Sequence, residues 1–354
     1  MPARPEDAVR AAFRQQAGWC RQLGSPLTAL VCDLVADRLA RGSALGCRIL
    51  DWPAHPGPGV DVLPLRLAGG LNALTRRGHE ALAACYPPHA LADPGVLWNA
   101  IRSGLDDPGL PPWLDSPPQT NEVARSAALM AGLLVVAAET RLPLALYELG
   151  ASAGLNLLLD RYDIRLGGVR AGAPGSAVVL RPDWSGPLPP DAPVRVVRRR
   201  GVDLNPLDVR DPAARERLLA YVWPDQPDRV ARLTGALAIA QADPPVLDAG
   251  DAAAWTEAHI AVQPEAGVAR VLMHSVAWVY FPAATQARVT ERMEAAGRRA
   301  TATAPLAWLR FEAPLGLLQP PALRLQLWPG GADRQLGTGG PHAHWMRWGN
   351  GQPV

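Results

Sequence analysis

The chain has 354 residues, 48% of them hydrophobic and 19% charged, which exceeds one average domain and excludes a disordered or fibrous polymer. Thirty-five basic side chains against 33 acidic ones leave a formal charge of +2, and no run of like charges is long enough to tether nucleic acid or an anionic membrane. Every basic residue is arginine, so neither a lysine Schiff base nor a P-loop lysine can operate.

Met1 to Gly18 reads as a charged helix rather than a basic head followed by an apolar core, so no secretory signal is expected. Leu27, Leu30, Val31, Leu34, Val35 and Leu39 recur at helical spacing, and a second helix is expected over Gly70 to Cys85. The stretches from Asp51 to Pro64 and from Gly104 to Pro118 are dense in Pro and Gly and read as loops. Cys20, Cys32, Cys47 and Cys85 contain no CxxC pair, so neither a disulfide framework nor a structural zinc is signalled. Asn121 is placed to cap a helix beginning at Glu122, with apolar residues continuing to Ala138. The longest apolar stretch, Ser126 to Ala138, has 13 residues, too few for a bilayer, and a cytoplasmic protein is expected.

From Pro143 the pattern changes to short apolar strands alternating with helices, the signature of a parallel sheet built from βαβ units. Strands are expected at Leu144–Leu149, Val194–Val202, Pro245–Leu247, Val268–His274 and Leu306–Phe311. Helices fall between them at Gly154–Arg161, Pro212–Ala240, Ala252–Ala261 and Ala283–Ala296. A final antiparallel pair, Leu323–Trp328 and His342–Trp348, is joined by a Gly-rich turn at Gly330–Gly340. The expected fold is therefore α/β: a Rossmann-like, mostly parallel sheet with an antiparallel C-terminal hairpin (141–354), preceded by a helical cap region (1–140).

The sharpest chemical signal is Glu148-Leu149-Gly150-Ala151-Ser152-Ala153-Gly154-Leu155-Asn156, an apolar strand turning through two glycines into a helix. Small residues at such a turn let a ligand approach the backbone, and the helix start offers free N–H groups. A dinucleotide pyrophosphate prefers G-x-G-x-x-G. Ser152 replaces the middle glycine, so the spacing suits a nucleoside without phosphate, such as S-adenosylmethionine, better than NAD. The same residues match G-x-S-x-G, the nucleophile elbow of α/β-hydrolases. Ser152 would then be a nucleophile, with Asp248 or Asp251 and His274 or His342 as partners. Two observations weigh against that esterase: the preceding region looks helical, and no HGGG-type oxyanion segment is visible.

Asp203 stands where a strand ends one βαβ unit after the glycine turn, a place from which a carboxylate can accept both ribose hydroxyls. Asp251 can accept from an adenine amino group while capping the following helix.

Glu148 to Asn156, Asp203 to Asp208, Tyr221 to Gln226, His274-Ser275-Val276 and Trp328-Pro329-Gly330-Gly331, with Pro118 to Val123 in the helical part, resemble an uncharacterised bacterial domain-of-unknown-function family. That family is similar in strand order to class I S-adenosylmethionine-dependent methyltransferases. The resemblance implies that Glu148, Gly150 and Gly154 contact the methionine part of the cofactor, with Ser152 and Asn156 in the same motif, Asp203 the ribose and Asp251 the adenine. The fourth strand ends in His274-Ser275 rather than an Asn/Asp-Pro-Pro-aromatic motif, which argues against N-methylation of an amide or base. His274, at a carboxyl strand end, is a candidate base, with Glu122 as a second catalytic candidate. Gln119, Asn121, Glu122 and Arg125 open the helix leading to the glycine strand and are expected, with Tyr280, to form the pocket of a small-molecule acceptor. A noncatalytic adenosyl-binding protein is the remaining alternative. His342 and His344 share a strand face, but no third ligand stands out, so no metal is expected.

Overall fold

The computed structural model describes residues 5–57, 60–313 and 319–349. In chain order the helices are α1 (Pro5–Gln22), α2 (Pro26–Arg38), α3 (Ala44–Leu50), α4 (Leu63–Arg76), α5 (Glu80–Ala83), α6 (Pro94–Leu105), α7 (Arg125–Thr140), α8 (Pro212–Ala220), α9 (Pro227–Ala242), α10 (Ala252–His259) and α11 (Ala283–Gly297). The strands are β1 (Leu144–Leu149), β2 (Asp163–Leu166), β3 (Val169–Gly172), β4 (Val179–Leu180), β5 (Asp183–Ser185), β6 (Val196–Asp203), β7 (Val246–Ala249), β8 (Ala269–Ser275), β9 (Leu306–Glu312), β10 (Ala322–Trp328), β11 (Asp333–Gly339) and β12 (Trp345–Trp348). Two compact units result, Met1–Thr120 with Pro212–Ala231, and Asn121–Asp211 with Arg232–Val354.

The first unit is helical. Prolines at the first turns of α2, α4 and α6 start those helices where a missing N–H costs nothing. Phe13, Ile49, Leu67, Leu71, Leu97 and Ile101 are fully buried in its core, each contributing about 2 kcal/mol on leaving water. The single helix expected over Gly70 to Cys85 is instead α4, which begins earlier, at Leu63, and ends at Arg76, followed by the short α5. Gly69 and Gly70 are packing positions inside α4, since Tyr221 lies where a Gly69 side chain would start, and Leu110 and Trp113 cover Gly70. The single helix expected over Pro212–Ala240 is broken between α8 and α9. Pro224 and Pro227 cannot continue it, and the buried Asn72 amide takes the Ala220 and Val222 carbonyls at 3.0 and 3.1 Å. Asp225, in the break, accepts from Ser25 Oγ and Leu27 N–H.

The second unit carries a nine-stranded sheet in the order β5-β12-β11-β10-β9-β8-β1-β6-β7. Pairs from β9 to β7 are parallel, while β9-β10, β10-β11 and β11-β12 are antiparallel. The expected α/β class, with its mostly parallel sheet and antiparallel C-terminal end, is the one observed. The Gly-rich stretch at Gly330–Gly340 is not simply a turn: it contains β11, which sits between β10 and β12. Its glycines allow this, since a Cβ at Gly337 or Gly339 would meet the backbone of β12. A three-stranded sheet, β3-β2-β4, lies outside the expectation. There the buried Asp163 is held well below the usual carboxylate range by Arg165 and then Arg170. Among the described residues no helix is long and apolar enough to cross a membrane.

Candidate functional site

The five parallel strands in chain order, β1, β6, β7, β8 and β9, stand in the sheet as third-second-first-fourth-fifth. The order reverses between β1 and β8, and open α/β sheets bind ligands outside the carboxyl strand ends at such a reversal.

All six residues of β1 are buried. Glu148, 2% exposed, therefore carries a carboxyl group into an apolar layer. Its Oε1 receives a long 3.4 Å contact from Asn156 Nδ2, and Asn156 Oδ1 in turn accepts from Ser126 Oγ at 2.8 Å. Glu148 Oε2 has no protein partner. Burial pushes this carboxyl up to about 8, Asp203 pushes the same way, and Asn156 and Arg125 pull against it. At neutral pH Glu148 is mostly a neutral acid, able to donate.

Beyond β1 the chain reverses through three left-handed residues, Gly150, Ser152 and Gly154, with φ of 66°, 53° and 71°. Ala151 N–H donates to Val202 O at 3.0 Å, and Ser152 N–H to Asp203 Oδ2 at 2.9 Å. The other Asp203 oxygen accepts from Asn205 N–H. Asp203 thus fixes the glycine turn from the adjacent strand. Ser152 Oγ is buried without a partner. The glycines make room chiefly for protein: a Cβ on Gly150 would lie 2.7 Å from Ala277 Cβ, and one on Gly154 2.7 Å from Pro245 Cγ. The turns after β1 and β8 therefore touch, and the crevice floor is closed at this point.

Asn121 does not cap α7, which begins at Arg125; its Oδ1 accepts from Leu155 N–H at 2.9 Å instead and secures the segment after the glycine turn. Glu122 is buried, accepts from Ala124 N–H and lies 3.7 Å from Arg232. Arg125 donates to Ser275 O at 3.3 Å and to Pro341 O at 3.0 Å, joining the start of α7 to the end of β8. Gln119 belongs to the first unit. Asp251 caps α10 through Ala253 and Ala254 N–H, while its second oxygen accepts from Thr285 Oγ1.

His274 is fully buried. Its Nε2 accepts from Trp308 Nε1–H at 3.1 Å and its Nδ1 lies 2.7 Å from Glu312 Oε1. These partners select the Nδ1–H tautomer and leave the ring no free lone pair for a substrate proton. Trp278 stacks on the ring at 4.8 Å and 14°. Tyr280 is exposed, its hydroxyl within electrostatic range of Arg125 and Glu312. Sequence reasoning missed Glu312 and Ser126. The signal for Glu312 existed, because it ends the fifth strand as Asp203 ends the second. Among the described residues no three His, Cys, Asp or Glu side chains converge as a metal would need.

A family model described as an uncharacterized protein conserved in bacteria, DUF2332, matches residues 10–348. The chain belongs to that family. No curated protein and no solved structure matches it. DUF2332 membership spans both compact units.

Proposed function

We propose that this DUF2332 protein binds S-adenosylmethionine at the β1/β6 side of the strand reversal and transfers its methyl group to a small molecule in the cytoplasm. The observation that carries this reading is a left-handed turn at the switch point, clamped by the acid of the next strand and bordered by two buried oxygens without partners, Glu148 Oε2 and Ser152 Oγ. Unpaired buried polar atoms are costly, and a polar ligand would satisfy them. Both Asp203 oxygens hold one backbone N–H each and keep lone pairs for a pair of sugar hydroxyls. Glu148 suits an ammonium group, which would draw off its proton. Because Ala277 fills the space beside Gly150, the ligand would lie above that contact rather than between the strands.

The bound cofactor would supply a methyl group on a sulfonium; the chain's part would be to align the acceptor and exclude water. Arg125, tied to Ser275 O, and Tyr280 would border the acceptor, and His274 would hold its strand end through Glu312 and Trp308. Calorimetry and thermal unfolding with S-adenosylmethionine, S-adenosylhomocysteine and NAD test the reading. The two adenosyl compounds should stabilise the protein by about 2.7 kcal/mol at a hundred times Kd, and NAD should not. Asp203→Asn, which keeps an acceptor for Ser152 N–H, should bind them at least about tenfold more weakly. Absence of any shift, or an unchanged affinity in the variant, refutes it. Affinity without turnover on any acceptor would leave a noncatalytic adenosyl binder.

Ser152 supports a second reading. Its positive φ of 53° and unpartnered Oγ are features of a nucleophile elbow. Of the candidate partners, His274 spends both nitrogens on Glu312 and Trp308, and Asp248 is paired with Arg200 and Trp255. Labelling by a fluorophosphonate that disappears in Ser152→Ala would favour the hydrolase; unlabelled protein removes it.

A further inference from the structure

The turns after β1 and β8 are built on one plan. Ala151 N–H donates to Val202 O and Ser152 N–H to the Asp203 carboxylate; Val276 N–H donates to Phe311 O at 3.0 Å and Ala277 N–H to the Glu312 carboxylate at 3.1 Å. In each, a residue other than glycine is held left-handed, Ser152 at φ 53° and Val276 at φ 48°. A β-branched residue keeps that conformation only where its surroundings over-determine it. The acid ending the neighbouring strand holds the left-handed residue itself in the first turn and the residue after it in the second.

The two acids differ in what they leave over. Asp203 accepts one backbone N–H on each oxygen. Glu312 gathers Ala277 N–H, Trp278 N–H and His274 Nδ1–H on Oε1, and its buried Oε2 has no protein partner. His274 cannot turn to it without breaking the bond from Trp308. Trp278, whose backbone N–H Glu312 holds, packs its ring against His274, Phe281 and Trp308, and Tyr280, 57% exposed, is within electrostatic range of Glu312. Arg125 adds positive charge next to Ser275 and disfavours a cationic guest.

We propose that Glu312 Oε2 receives the hydroxyl of a second, planar ligand seated at the carboxyl ends of β8 and β9 beside Trp278 and Tyr280. The site needs no adenosyl compound, so its failure and that of the cofactor reading are separable. Phenol and anisole are the probes, titrated into 15N-tryptophan-labelled full-length protein and followed at the Trp308 and Trp278 indole N–H signals. Phenol should bind at least about tenfold more tightly than anisole, as expected for a hydroxyl on a carboxylate. Glu312→Gln keeps a carbonyl oxygen for the three donors and places an amide donor where Oε2 stood; it should fold and lose the preference for phenol. Tyr280→Ala, which removes an exposed ring, should weaken both probes and keep the preference. Equal binding of the two probes, binding of neither, a preference that survives Glu312→Gln, or one lost in Tyr280→Ala would overturn the assignment.

Discussion

Glu148→Gln will make this protein more stable than the wild type at pH 9, with a difference of no more than about 1 kcal/mol at pH 5. The Glu148 carboxyl is raised by burial from 4.5 to about 8. Between those values the native state keeps a proton that the unfolded chain has released, so wild-type stability falls as pH rises through the window. Below 4.5 both states are protonated and the cost is absent; above 8 both are ionised and it is fully present. A displacement of this size corresponds to up to about 5 kcal/mol for a group so nearly excluded from water. Glutamine has no proton to lose and keeps the hydrogen-bonding shape. Urea unfolding of both proteins at pH 5, 7 and 9 reads the difference, from which all other titrations cancel; parallel stability curves would show that Glu148 does not ionise in a buried setting. An ammonium-bearing ligand on Glu148 would reverse the preference, releasing a proton on binding at pH 7 that calorimetry in buffers of different ionisation enthalpy detects.

Gly150→Ala should cost about 2–5 kcal/mol, combining the left-handed backbone penalty for alanine with overpacking of a closed contact. Gly150 sits at φ 66°, and the added Cβ would lie 2.7 Å from Ala277 Cβ, an atom with no rotamer by which to move aside. The steric share belongs to the pair, so Ala277→Gly in the Gly150→Ala background should restore roughly half of the loss, whereas alone it should destabilise. A double-mutant cycle by chemical denaturation measures this. Strictly additive effects would mean that the two turns do not meet.

Where the chemistry is local, the sequence was legible. β1 begins and ends where its apolar run does, and the glycine turn, the acid at the end of β6 and the capping acid Asp251 all stand where spacing put them. The edges were less so. β2, β3, β4 and β5 are two to four residues long, too short to show a period. Their places are set by partners such as Asp163 and its arginines. Asn121 has the composition of a cap, but the N–H it accepts from belongs to Leu155, 34 residues away.

The amino-acid order by itself determined the α/β class, the strand-turn-helix at Glu148–Asn156 and the candidate acids, because hydrophobic period and turn chemistry act over a few neighbouring residues. Only the tertiary structure decided that burial raises the Glu148 carboxyl, that His274 spends both nitrogens inside the fold, and that Glu312 mirrors Asp203 across the strand reversal. Desolvation, tautomer choice and strand neighbourhood depend on groups brought together from distant parts of the chain, so no local pattern records them.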